Sequence, residues 1–153
     1  MYNPIQVVNK FIQLAIESGR PLTHMQIQKL LYIAHGFSLA FYNKPLLSDP
    51  VCAWKYGPVI PSVYSTLRNY GANPINRPVG VYVPDVDEGT SSFLKMIYDT
   101  YGKLSGIELS EFTHRANTPW SVTWQAGEEI INDNLIKAYY ERLLTNDASC
   151  IGL

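Results

Sequence analysis

A mostly α, compact single-domain fold with a minor extended element is predicted for residues 1–153, and three observations predict it. Apolar residues recur at helical spacing in successive segments, capping residues stand ahead of those segments, and proline, glycine and asparagine gather between them. Asn3-Pro4 is a cap and first-turn pair, followed by Ile5, Val8, Phe11, Ile12, Ala15 and Ile16 at helical spacing. Gly19 and Pro21 stop that helix. Thr23 caps a second helix running to about Phe41, with Gln26 placed to close a capping box and Leu22 and Ile27 at staple positions. Its apolar arc takes in Ile27, Leu30, Leu31, Ile33, Ala34, Phe37 and Phe41, so it is predicted to be central and buried.

Asn43-Lys44-Pro45 turns the chain into Val51-Cys52-Ala53-Trp54, which is short and strand-like. A third helix is expected from Ser62 to Asn69, closed by Gly71. The stretch from Ala72 to Glu88 reads as a loop, with one short strand suggested by the alternation in Val79-Gly80-Val81-Tyr82-Val83. Phe93, Leu94, Ile97, Tyr98, Tyr101 and Leu104 mark a fourth helix, and Ser110 is expected to cap a short fifth. Pro119 opens a sixth. Asn132 or Asp133 opens the last, with Leu135, Ile136, Tyr139, Tyr140 and Leu143 inward and a frayed tail from about residue 146.

Net charge of −1 and scattered basic residues give no attraction to a phosphate backbone, so no nucleic-acid partner is expected. No apolar run is long enough to span a membrane. Met1-Tyr2-Asn3-Pro4 lacks a basic region followed by an apolar stretch, and Cys52 and Cys150 are the only cysteines. The expectation is a cytoplasmic protein with reduced thiols. Charged residues make up 16% of the chain against eleven Tyr and three Trp, a balance suited to an interface built on rings and neutral polar groups.

Chemistry finds little purchase. Cys52 sits in an apolar run with no local base, and His24, His35 and His114 are far apart, so neither a nucleophile nor a metal or other cofactor is expected. Tyr101-Gly102-Lys103-Leu104-Ser105-Gly106 lacks the spacing of a phosphate loop and reads as a helix terminus.

The densest information lies in Ala53-Trp54-Lys55-Tyr56-Gly57-Pro58-Val59-Ile60-Pro61-Ser62-Val63-Tyr64. Large aromatics share this stretch with two prolines and a glycine, and no carboxylate is among them. Gly57 permits backbone angles closed to other residues, Pro58 biases it to extended geometry, and Pro61 suits a first helical turn. Two readings stand: a purely structural corner, or a rigid aromatic surface for a partner. His114 and Trp120 divide in the same way between packing and binding.

Taken with Lys29-Leu30-Leu31-Tyr32-Ile33-Ala34-His35-Gly36, Asn43-Lys44-Pro45-Leu46, Tyr70-Gly71, Leu109-Ser110-Glu111-Phe112-Thr113-His114 and Pro119-Trp120, this stretch resembles the Panacea domain of SocA-like and phage-associated GepA-like antitoxins. The resemblance runs from about Val8 to about Tyr140. Leu47, where an aromatic is common, and Asn117, where an acidic residue is usual, depart from the pattern. The resemblance implies a non-enzymatic antitoxin that neutralises a toxin encoded beside it by direct protein–protein binding. In at least one relative the domain is an adaptor delivering its toxin to a cellular protease, which makes a protease a second implied partner. On this reading Trp54, Tyr56, Gly57, Pro58, Pro61 and Tyr64, with His114 and Trp120, form the toxin-facing surface. The rivals are a phage-associated accessory protein that binds a host factor and a hydrolase-like enzyme using Cys52 or His114.

Overall fold

The computed structural model describes residues 1–146, and seven α-helices and one two-stranded hairpin lie among them. Helix α1 covers Pro4–Glu17. The Asn3 side chain accepts from the Ile5 amide, and Gln6 returns a bond to the cap residue, so both exposed donors are satisfied. Gly19 then leaves the helix at φ 71°, a conformation that favours glycine.

Helix α2, His24–Tyr42, is the axis of the molecule. Thr23 and Gln26 form the expected capping box, and Leu22 and Ile27 are both buried beside it. Ile27, Leu30, Leu31, Ile33 and Ala34 are fully enclosed because α1, α3, α4, α5 and α7 all pack against this helix. Phe41 departs from the expected inward face: the last turn of α2 runs past the core, and its ring rests on Phe37 and Phe93 near the surface. Thr23→Ala is expected to lower stability by about 1 kcal/mol, read as a lower urea midpoint at unchanged slope.

Strand β1, Cys52–Trp54, pairs antiparallel with β2, Gly57–Val59, around a turn at Lys55-Tyr56. The stretch expected as an extended piece and a corner is therefore a hairpin. The second edge of β1 is covered by the 129–131 segment, through Ala53 N–H to the Glu129 carbonyl at 2.7 Å and Ile131 N–H to the Val51 carbonyl at 2.8 Å. Pro61 opens α3, Pro61–Leu67, which tightens into a 3₁₀ turn at Arg68–Tyr70 and ends on Gly71 at φ 57°.

No strand forms over 79–83. Gly80 and Tyr82 both have positive φ, which breaks the period-two alternation, and Val81 and Tyr82 point into solvent. The loop is pinned elsewhere: the Asn9 amide brackets Val79 with bonds of 2.8 and 2.9 Å, and Ile75 N–H reaches the Leu22 carbonyl at 2.8 Å.

Helix α4 covers Glu88–Tyr101 and is capped by Asp87. The fifth helix, α5, is Gly106–His114, earlier than expected. Its cap is Ser105, boxed with Glu108, while Ser110 lies inside it. Thr118 caps α6, Pro119–Gln125, and Asn132 bonds the Asn134 amide ahead of α7, Asp133–Asn146. Ile136 and Tyr140 are fully buried as expected, whereas Leu135 is turned outward. The expected tail and Cys150 lie outside the described residues.

Two side-chain links fix how α7 meets α2. The buried His35 accepts the Leu47 N–H at Nδ1 and bonds Asp133 through Nε2 at 2.9 Å, joining α2, the segment before β1 and the start of α7. Tyr140 lies edge-on against Tyr32 and Phe37, over Gly36.

Candidate functional site

The hairpin is too short to hold itself, since an isolated two-stranded ribbon is marginal in water. Side chains behind it supply what a third strand would. Trp120 donates its indole N–H to the Trp54 carbonyl at 2.6 Å, Ser110 its hydroxyl to the Tyr56 carbonyl at 2.9 Å, and Lys29 its ammonium to the Pro58 carbonyl at 2.9 Å. Gln28 completes the row by accepting the Ile60 N–H at 3.0 Å and donating to the Ile60 carbonyl at 3.3 Å. Helices α2, α5 and α6 thus grip successive even-numbered carbonyls from the end of β1, round the turn and along β2.

Gly57 is obligatory in this arrangement. Its φ is 120°, and a Cβ there would lie 3.0 Å from Lys29 Nζ and 3.6 Å from His114 Cβ. His114 bonds the Ser110 carbonyl through Nδ1 and sets its ring edge-on to Trp120, which stacks in turn on Trp124. Asn117 sits in the left-handed region at φ 64°, which asparagine tolerates better than most side chains, and this gives a local reason for the residue.

The outer side of the hairpin is aromatic and open. Tyr56 is 69% exposed and Tyr64 40% exposed, while Trp54 is half-buried. Tyr64 meets Trp54 edge-on at 5.0 Å and the His24 ring at 5.3 Å, and Lys55 lies over the Tyr56 ring. These side chains, with Val59, line a groove of about 330 Å³ whose wall includes Lys29.

Of the residues assigned from sequence, Trp54, Tyr56 and Tyr64 come together at this groove. Gly57 and Pro58 form the strand behind it, and Pro61 starts the helix that carries Tyr64. His114 and Trp120 stand on the inner side, where Trp120 is only 9% exposed and acts as a brace. Gln28, Lys29 and Ser110 were missed as site residues. The available signal was Gln28-Lys29 itself, two adjacent polar residues beside the apolar arc of a buried helix. A larger groove, about 600 Å³, opens between the N-terminus and α4 beside Tyr42 and Asp87 and contains none of the assigned residues.

Electrostatically the groove is one-sided. Lys29 is 3% exposed, and among the described residues no carboxylate pairs with it; burial brings its pKa from 10.5 to about 8. Burial, and then Lys29, lower the pKa of His24. Between about 8 and 10.5 the unfolded chain keeps a lysine proton that the folded chain has released. The Lys29 contribution to stability therefore rises with pH across that window, by roughly 3 kcal/mol at most. Cys52, Tyr32 and Tyr140, whose pKa values burial raises, act in the opposite sense. Denaturant titrations at pH 8 and pH 10.5 are therefore expected to show the parent chain gaining stability relative to Lys29→Met.

The enzymatic rival asked for a low-pKa thiol. Cys52 is buried, and burial together with Glu129 pushes its thiol up. His114 meanwhile is engaged with Ser110 and Trp120. Among the described residues no three His, Cys, Asp or Glu are grouped so that they could hold a metal ion. No helix there is long and apolar enough to cross a membrane.

Residues 27–121 match the family described as "Antitoxin SocA-like, Panacea domain", a span that contains the hairpin and all the side chains gripping it. The chain is 32% identical over 129 residues to "Antitoxin SocA" of Caulobacter vibrioides (strain NA1000 / CB15N), covering 76% of this chain and 67% of that protein. No solved structure matches the chain. A family match over more than half of the sequence and a relative aligned along most of it place the chain among the SocA-like antitoxins of the Panacea-domain family.

Proposed function

We propose that this chain neutralises a cognate toxin by direct protein–protein binding, and that the toxin docks on the aromatic groove of the hairpin. The carrying observation is the pairing of exposed Tyr56 and Tyr64 with a backbone held from behind at successive carbonyls. Rings presented on so stiff a support lose little entropy on binding, which is why Tyr and Trp dominate interface hot spots. Trp54, Tyr56 and Tyr64 make the contact. Gly57, Pro58 and Pro61 shape the support, and His114 and Trp120 brace it. The protein acts in the cytoplasm and without enzymatic activity.

The test is expression of the neighbouring gene with and without this chain, scored by growth, followed by co-purification of the two products. Growth arrest relieved by the chain, with a stable complex, is the expected outcome. Toxicity that persists in the presence of folded chain overturns the proposal. Toxin half-life, measured in the same cells, separates the modes. An unchanged half-life with relief of toxicity supports neutralisation by binding alone, and a half-life shortened by the chain identifies delivery to a protease.

A further inference from the structure

A buried cation needs an anion or several good acceptors, and Lys29 has neither. An ammonium carries three donors. Among the described residues the one hydrogen bond from Lys29 goes to the Pro58 carbonyl. Its side chain is enclosed by α2, the hairpin and the Gly57 backbone, and an alanine at 57 would press on the ammonium. The neighbouring groups offer no counter-charge. His24 and Lys55 are the other basic side chains at the groove, and no Asp or Glu is among the described residues lining it. For holding the hairpin alone, a neutral donor would serve at lower cost, since an uncompensated buried charge is strongly unfavourable.

We infer that Lys29 is the foot of a carboxylate-binding subsite, which takes one acidic side chain of the partner protein as its flanking apolar side chain settles among Trp54, Tyr56 and Tyr64. This rests on the toxin-binding reading above and names the chemistry of its central contact. The chemistry of the groove selects the class. A nucleic acid would need a track of cations along its phosphates, whereas here a single enclosed ammonium lies beside aromatic walls on a chain of net charge −1. One carboxylate satisfies the open donors, and the apolar neighbour fills the rest of a space of about 330 Å³. A charge-assisted bond of this kind in a desolvated pocket is strong and directional. The lowered pKa of Lys29 fits a group that awaits its counter-ion, and carboxylate binding should raise it again.

Two arms test the inference separately from the reading it rests on. In the first, the free chain is titrated with the blocked peptide acetyl-Ala-Phe-Glu-Ala-amide and with its Phe-Gln counterpart, while the Lys29 Nζ resonance is followed by NMR in lysine-labelled protein. A saturable shift with the Glu peptide alone, accompanied by a higher Lys29 pKa, is expected. Equal responses to both peptides, or none to either, overturn the subsite. In the second arm each Asp and Glu of the toxin is changed to Asn or Gln and its affinity measured against the parent chain and Lys29→Gln. The glutamine keeps a donor for Pro58 while removing the charge, and Lys29→Met serves if that variant fails to fold. One acidic position is expected to lose at least about 30-fold in affinity against the parent chain and almost nothing against the lysine variant. Toxin binding that is equal for parent and variant overturns the subsite and leaves the toxin-binding reading intact. A toxin that binds neither chain overturns the reading, and the peptide arm then decides on Lys29 alone.

Discussion

Tyr140→Ala is expected to cost about 3–5 kcal/mol of folding stability, the range for deleting a large enclosed ring. The ring is fully buried against Tyr32 and Phe37, at the packing of α7 on α2. Gly36 makes that approach possible, because a Cβ on it would stand 2.4 Å from two carbons of the Tyr140 ring. Gly36→Ala alone is therefore destabilising by about 1–3 kcal/mol through overpacking, even though alanine is the better helix former. The double variant should lose less than the sum, since the added methyl enters the space that the ring leaves. Tyr140→Phe should be neutral or stabilising, because the Tyr140 hydroxyl is buried and has no hydrogen-bond partner among the described residues. Urea denaturation of the four variants gives the whole cycle. Additive losses would show that the two positions do not meet.

The second large effect falls on binding. Trp54→Ala and Tyr64→Ala should each weaken the toxin complex by more than about 2 kcal/mol, the threshold for a hot spot. They differ in what else they cost. Tyr64 is partly exposed in the middle of α3, so its loss leaves the fold almost untouched. Trp54 is half-buried, and its removal should lower stability as well as affinity. Trp120→Ala separates bracing from contact: it deletes the bond to the Trp54 carbonyl and the packing on His114, so its main effect should be a lower midpoint of unfolding.

The fold was legible where local rules and tertiary packing agree. Asn3-Pro4, Thr23 with Gln26, and Pro119 all begin helices as their side-chain chemistry requires, and the wide apolar arc of α2 does mark a central helix. It was less legible where a residue has two uses. Ser110 has the chemistry of a cap, yet it is spent on the Tyr56 carbonyl, while the capping box that does open the helix, Ser105 to Glu108, begins inside the 101–106 segment read as a helix end. The alternation at 79–83 failed because period-two patterning carries no information about φ, and Gly80 and Tyr82 both take positive values.

For the candidate site, the aromatic residues that line the groove could be picked out from the Ala53–Tyr64 stretch. Their arrangement could not, because it depends on contacts far apart in sequence. Lys29 reaches Pro58, Ser110 reaches Tyr56 and Trp120 reaches Trp54, and each bond exists only after α2, α5 and α6 have packed. The polar pair Gln28-Lys29 inside a buried helix was the local hint, and its meaning is electrostatic: a polar residue in such a place must be serving another part of the chain.

The central claim is that the toxin is held by the aromatic groove of the hairpin, and the affinity of Tyr64→Ala against Tyr82→Ala tests it most directly. Both are surface tyrosines, Tyr82 being 99% exposed on the loop before α4 and not among the residues lining the groove, so neither change should unfold the chain. With thermal unfolding checked on the same samples, the account predicts at least about a 30-fold loss of toxin affinity for Tyr64→Ala, equivalent to about 2 kcal/mol, and none for Tyr82→Ala. A folded Tyr64→Ala protein that binds toxin as tightly as the parent chain, or a loss confined to Tyr82→Ala, would contradict it.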